Sequence, residues 1–582
     1  MILYFFQSIS ILLIILSICN FLTSNFKIEN NKKYIFSVLI IICSCFLLLK
    51  MIKYLNLNSI LFLDYVVVFK YLFFILLTFS LLHIILTKNK VNNIDIWFVG
   101  TYATISILCY DRYFLDEDEF TYWGQRVKDF YYYIDTENFK INRYHQPLLT
   151  SWQLFVTLNA GVQENILIFA NNIILIAGFF FIADNSFKKF KVNPKIFIIY
   201  FFLFYLLTNN LSFGFVSIYA DPILAVLSAC ILKLIIENNY DQKRIVLLFL
   251  LTFCVYFVHR LGIIFLIMLL PYILLKNYKY LFFDNKKKFF ISLIIIIVAV
   301  RFLFFKQLAY SQTPFNIFDR LDIIIELVYN FILNFKKIFL VNIYYSSFGV
   351  SLNKIIEIII HKKDIINNLP LNILFWIIII IFSSLLSEKK DIFLYFIISL
   401  IFYSLVIYVE KIHFQKLSYL VFGRYMSILL LSYLLFFTLK NKNIYLLYFL
   451  LIFNLSITPL KSLGFFVPDN IYYSYKKNKN YYENRNQIKL LGKKYASCKN
   501  IFAIYDKKNF PKYLNGHYSL ILNIFNYEIF FSKIRFQDID ELRQMKNTDF
   551  FNFFDCVFAL NAEINDLRKY NFHTNNLRMI SL

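Results

Sequence analysis

Glycine is scarce in this chain, 11 residues of 582, and nowhere does it gather into the Gly-rich loop that cradles nucleotide phosphates. Proline is scarcer still at 9 residues, so no Pro-rich linker divides the chain, and no internal repeat points to a modular array. The eight cysteines show no metal-ligand spacing. Six of them (Cys19, Cys43, Cys45, Cys109, Cys230 and Cys254) fall inside apolar runs, where a thiol acts as a small hydrophobe. Cys498 and Cys556 lie in the polar C-terminal region and become disulfide candidates if that region faces an oxidising compartment. Charged residues make up only 16% of the chain, well short of what a soluble domain carries.

What is abundant is apolar: 59% hydrophobic and 20% aromatic residues, with a mean hydropathy of +0.61. Apolar segments of about 14 to 27 residues recur from Ile2 to Thr458, and a hydrocarbon layer of about 30 Å asks for helices of this length. The composition therefore predicts a polytopic membrane protein. A formal charge of +24 does not indicate nucleic acid, because the lysines sit in short loops between apolar runs and not along one face. The first run, Ile2 to Phe21, lacks a basic flank and a small-residue cleavage site and is expected to be a retained span.

Loop charge sets a topology, since Lys and Arg in short loops mark the cytoplasmic side. Five loops serve as fixed points: Lys188, Lys189, Lys191 and Lys195; Lys243 with Arg244; Lys276 to Lys288; Lys389 with Lys390; and Lys440 with Lys442. Placing all five inside requires even numbers of spans between them, and the apolar runs supply these. The expected fold is all-α, with roughly fourteen transmembrane helices, external loop helices and a small C-terminal extracytoplasmic α/β domain. Residues 1–110 carry the N-terminal spans and 111–165 the first large outer loop. Residues 166–460 form the membrane core, with an outer stretch at 306–370, and 461–582 form the tail domain. Within the tail, Ile501 to Tyr505 and Cys556 to Leu560 read as buried strands.

The polar residues of interest fall on the predicted outer face. The first outer loop opens with Asp116, Glu117, Asp118 and Glu119, followed by Tyr122 and Trp123. Carboxylates at an apolar boundary are candidates for a general base. A solvated loop is the alternative. Later in the loop come Tyr144 and His145, with Pro147 opening an apolar run as at a helix start. Asp221 precedes Pro222 at the mouth of a span, where it serves either a site or a helix cap. His259 and Arg260 interrupt two apolar runs at the outer interface. Arg424, with Tyr425, lies a few residues inside the outer end of a late span; its fork matches phosphate oxygens, and pairing with an acid such as Asp221 is the alternative.

Taken in order, these patches resemble the GT-C superfamily of integral membrane glycosyltransferases, and within it bacterial relatives of protein O-mannosyltransferases and lipid A aminoarabinose transferases. Asp118-Glu119-Phe120-Thr121-Tyr122-Trp123 looks like their Asp-Glu-Phe-x-x-Trp loop motif. Tyr144 to Leu149 is similar to their Tyr-x-x-Pro-Leu element, Tyr219-Ala220-Asp221 to a Tyr-x-Asp, and Arg424-Tyr425 to a late Arg-Tyr. The resemblance implies sugar transfer from a polyprenyl-phosphate donor to a lipid, glycan or protein acceptor at the outer face of a bacterial cytoplasmic membrane. It implies catalytic roles for Asp118, Glu119 and Asp116. Substrate contacts would fall to Trp123, Tyr144, His145, Asp221, His259, Arg260, Arg424 and Tyr425. No cofactor is required and no metal ligand set is assigned, although some relatives hold a divalent cation near the loop acid. Two other classes compete: a flippase for lipid-linked sugars, which would show pseudo-repeated halves, and an O-antigen polymerase or ligase, which relies on Arg and His in place of an early acidic pair.

Overall fold

The computed structural model describes residues 2–30, 32–54, 65–86, 92–110, 148–184, 194–212, 214–237 and 242–258, together with Gly262, single residues or pairs at 112–131 and 431–465, and four strands beyond residue 499. The helices are α1 (Ile2–Phe26), α2 (Lys33–Tyr54), α3 (Tyr65–Leu86), α4 (Asn93–Cys109), α5 (Leu148–Thr157), α6 (Glu164–Ile182), α7 (Pro194–Ser212), α8 (Ala220–Glu237) and α9 (Gln242–Val258). Among the described residues, four stretches are long and apolar enough to cross a membrane: Ile2–Phe26, Lys33–Met51, Val66–His83 and Glu164–Ile182. The chain is thus a membrane protein with several candidate spans, as its composition predicts. The apolar run from Ile60 resolves into a helix starting at Tyr65, which leaves Asp64 ahead of it.

The bundle is built around α6, which packs on α2, α4, α5 and α8 and buries nearly all of its side chains. Where α6 crosses α8 a glycine is required: a Cβ on Gly178 would lie 2.2 Å from Val226 Cγ1. Helices in lipid gain little from burying apolar surface against one another, so close packing and interhelical hydrogen bonds select the pairings. Between α1 and α4 these bonds form a short ladder. Tyr4 donates to the Ser106 carbonyl at 2.8 Å, Ser8 and Ser106 share a hydroxyl contact at 2.8 Å, and Tyr102 donates to the Ser8 carbonyl at 2.7 Å. On the outward faces of α1 and α3, Ile2, Phe6, Ile9, Tyr71, Phe74, Ile75 and Phe79 are exposed, as a lipid-facing surface would be.

Helix α5, the run that Pro147 opens, is only ten residues, about 15 Å, and too short to span. All ten are buried, among α1, α2, α3, α6 and α9. Several of its polar side chains find partners in this setting. Trp152 Nε1 donates to the Ala170 carbonyl at 2.8 Å, Gln153 Nε2 donates to Asn171 Oδ1 at 3.0 Å, and Ser151 and Thr157 bond back into their own helix.

The two ends of the bundle differ in charge. At one end meet the last turn of α1, the first turns of α2, α4 and α9, and the last turns of α6 and α8. Ion pairs join them: Lys33 to Asp95 at 2.6 Å, Arg244 to Glu29 at 3.4 Å, Lys32 to Glu29 at 3.0 Å and Lys233 to Asp184 at 3.7 Å. Asp95 also accepts from Tyr34 and from the Asn92 backbone N–H at 3.0 Å. Removing one partner from such a pair strands a buried charge, which costs far more than losing a surface pair. Asp95→Ala should therefore lower stability by about 3 to 5 kcal/mol in equilibrium denaturation in detergent, because the Lys33 side chain is only 4% exposed. The double variant Lys33→Met with Asp95→Leu should recover most of that loss. A cost under about 0.5 kcal/mol for Asp95→Ala would mean that the pair behaves as a solvated one.

The tail contains β1 (Asn500–Tyr505), β2 (Lys533–Asp538), β3 (Cys556–Leu560) and β4 (Leu577–Ile580), a parallel sheet in the order β2-β1-β3-β4. Ile501 is in register with Ile534 on one side and Cys556 on the other. The central strands, Asn-Ile-Phe-Ala-Ile-Tyr and Cys-Val-Phe-Ala-Leu, are the apolar pair expected from sequence. The edge strand Lys-Ile-Arg-Phe-Gln-Asp alternates polar and apolar residues, and an edge tolerates that pattern. A parallel pair of strands cannot be joined by a tight hairpin, so the strand directions alone set the topology of this sheet. The strand order turns between β1 and β3, as in doubly wound sheets. Pairing of Cys498 with Cys556 involves a residue outside the described set.

Candidate functional site

At the end of the bundle opposite the ion pairs lie the first turn of α1, the last turns of α4 and α7, and the first turns of α6 and α8. Phe5 stacks on Tyr110 at 5.5 Å, and Asn165 Nδ2 donates to the Tyr110 carbonyl at 2.7 Å. The acidic loop leaves the bundle from this end, immediately after α4.

Asp221 sits in the first turn of α8 and is 3% exposed. The helix starts at Ala220, so the acid lies within the turn and not on the residue ahead of it. Trp123 is 4% exposed and belongs to the continuous apolar core, so it is anchored and not displayed on an open loop. Asp116, Asp118, Glu119, Tyr144, His145, His259, Arg260, Arg424 and Tyr425 lie outside the described residues. Among the described residues no group of three or more His, Cys, Asp or Glu side chains is arranged to hold a metal ion.

Several residues at this end carry a signal that the sequence reading passed over. Arg112, at the root of the acidic loop, donates from Nη2 to the Phe465 carbonyl at 2.7 Å and lies over the Phe465 ring at 5.4 Å. The Phe465 N–H in turn donates to the Tyr205 hydroxyl at 2.7 Å, and the two rings stack at 6.0 Å. Phe465 is thus held between Arg112, just beyond α4, and Tyr205 of α7. Deeper in, Asn172 of α6 donates to the Phe215 carbonyl at 2.8 Å and approaches Cys109 Sγ at 3.1 Å. Asn209 Oδ1 of α7 accepts the Phe215 N–H at 2.8 Å. Polar amides interrupting apolar runs, at 171–172 and 209–210, were the available clue, since burying an amide without a hydrogen bond is costly.

Compared with known proteins, the chain matches no family model, no curated protein and no solved structure.

Proposed function

We propose that this chain is a membrane glycosyltransferase of the GT-C type. It would move a sugar from a polyprenyl-phosphate donor to a hydroxyl of a lipid, glycan or protein acceptor at the outer face of the cytoplasmic membrane. The observation that carries the proposal is the company kept by Asp221. A buried carboxylate stands at the same end of the bundle as the root of the acidic loop, and that end is opposite the one where Lys27, Lys32, Lys33, Lys243 and Arg244 collect. By the positive-inside rule the basic end is cytoplasmic, which turns Asp221 and the loop outward.

In the proposed reaction Asp118, or Asp116 in its place, takes the proton of the acceptor hydroxyl as that oxygen attacks the anomeric carbon. The bond from that carbon to the phosphate oxygen breaks with inversion, and polyprenyl phosphate leaves with the bonding pair. Arg424, with His259 and Arg260, would stabilise the charge growing on the departing phosphate. Asp221 would orient the acceptor, and Glu119, Trp123, Tyr144, His145 and Tyr425 would complete the contacts. No cofactor is needed, and a divalent cation near the loop acids is optional.

The ion pairs at the basic end weigh against a flippase. They tie α1, α2, α4 and α9 together at the face that a transporter must open in each cycle. The deciding experiment supplies membranes carrying the chain with radiolabelled polyprenyl-phosphate sugars and native acceptors. A labelled acceptor is expected. Labelled lipid that crosses the bilayer without forming any product would replace this reading with the transporter.

A further inference from the structure

The link from α7 to α8 is short, and its described residues are held at several points. It makes one tight turn, Gly214–Val216, and enters α8 at Ala220. Phe215, at the centre of the turn, is gripped on both sides of its own backbone: Asn209 Oδ1 accepts its N–H and Asn172 Nδ2 donates to its carbonyl, each at 2.8 Å. Its ring is fully buried against Phe201, Phe204 and Tyr205, with centroids 5.2 to 5.9 Å apart. Gly214 lets the turn come this close, because a Cβ there would meet Asn209 Oδ1 and the Thr208 carbonyl carbon at 2.8 Å. Further along, Ser217 Oγ accepts the Tyr219 N–H at 3.4 Å. Six residues after Phe215 comes Asp221.

Asn172 reaches in two directions. Its Nδ2 touches both the Phe215 carbonyl and Cys109 Sγ, the last residue of α4, from which the acidic loop departs. One side chain of α6 is therefore shared by the root of the loop and the entry to α8. Asn172 is 0% exposed and Asn209 1%, and Asn172 Oδ1 finds no hydrogen-bond partner among the described residues. Apolar packing gains nothing from such an arrangement, since an amide kept in apolar surroundings with one atom unsatisfied costs stability. Positioning is what the arrangement supplies.

We infer that Asn172 and Asn209 form a two-sided clamp on the Phe215 backbone that sets the position of Asp221 at the start of α8 relative to Cys109 at the end of α4. Both are positioning residues acting through Asp221, and the inference rests on the proposed glycosyltransferase reading. The two sides of the clamp have opposite chemistry, so one substitution separates them. Aspartate keeps an acceptor and loses the donor. Asn209→Asp should retain the bond to the Phe215 N–H and keep kcat within about threefold of wild type. Asn172→Asp should lose the bond to the carbonyl and lower kcat by about 100-fold, as small misplacements at a site do, with the donor KM little changed. Asn172→Leu brings no charge into the core and should show the same loss while remaining folded.

Two further readouts separate positioning from mere stability. In an Asp221→Asn background, Asn172→Leu should cost no additional rate, because its effect passes through the residue already removed. Hydrogen exchange across residues 213–221 should accelerate at least tenfold in Asn172→Leu and Asn209→Leu, a measurement that needs no substrate. Additive losses in the double variant, unchanged exchange, or tolerance of aspartate at position 172 would overturn the clamp. Absence of transfer by the wild-type chain would instead sink the glycosyltransferase reading, while the exchange data would still report on the clamp itself.

Discussion

Asp116→Asn combined with Asp118→Asn should abolish sugar transfer, lowering its rate by about 100- to 10,000-fold at equal expression, the range associated with losing a positioned base. Asparagine preserves size and shape at both positions but cannot accept the acceptor's proton. The double change is needed because Asp116-Glu117-Asp118-Glu119 offers two registers for the same role, and either single variant leaves a neighbour able to substitute. Denaturation in detergent, run beside the assay, should show a change of no more than about 0.5 kcal/mol, so that a lost rate can be read as lost chemistry. Measured in membranes with radiolabelled donor, a rate within threefold of wild type would move the base elsewhere in the chain.

The second large effect belongs to Asp221. Asp221→Asn should reduce transfer by about 100-fold, with denaturation in detergent showing a loss of no more than about 1 kcal/mol. The two magnitudes decide what the residue is for. An acid in the first turn of a helix contributes a fraction of a kcal/mol up to about 1 through the helix dipole, and a residue present only to start α8 could lose no more than that. A substitution that leaves transfer intact while costing that small amount would assign Asp221 to the helix start alone. Burial at 3% exposure, and a link held at Phe215 from two sides, favour the larger, catalytic effect.

Apolar length alone located most of the helices. The run Tyr34 to Leu49 anticipates α2, Ile166 to Ile182 anticipates α6, and Pro222 to Ile235 anticipates α8, each to within a few residues of its ends, because span length is set by the bilayer and leaves a direct mark on composition. The two central strands of the tail were legible for a related reason: each is a short, nearly continuous apolar run, the pattern expected of inner strands in a parallel sheet. Edge strand β2 was not, since its alternation of Lys533, Arg535 and Gln537 with apolar residues looks like any exposed segment until its partner is known.

The candidate site was legible only in part, for a physical reason. Asp221 stands out because a carboxylate beside Pro222 at the mouth of an apolar run is locally odd. Asn172, Asn209 and the pairing of Lys33 with Asp95 depend on partners many residues away, and periodicity carries no information about such partners. The burial of all ten residues of α5 was hidden in the same way. Its Ser151, Gln153 and Thr157 suggest a solvated segment until their bonds to α6 and to their own helix are seen.

The most direct test of the central claim is the side of the membrane on which transfer occurs. Right-side-out and inverted vesicles carrying the wild-type chain would be given the same short-chain radiolabelled polyprenyl-phosphate sugar, together with a membrane-impermeant acceptor. Labelled product in the right-side-out vesicles, with little or none in the inverted ones, is the predicted result, because Asp221 and the root of the acidic loop stand opposite the basic end. Product formed only in the inverted vesicles, or in neither, would contradict an outward-facing glycosyltransferase.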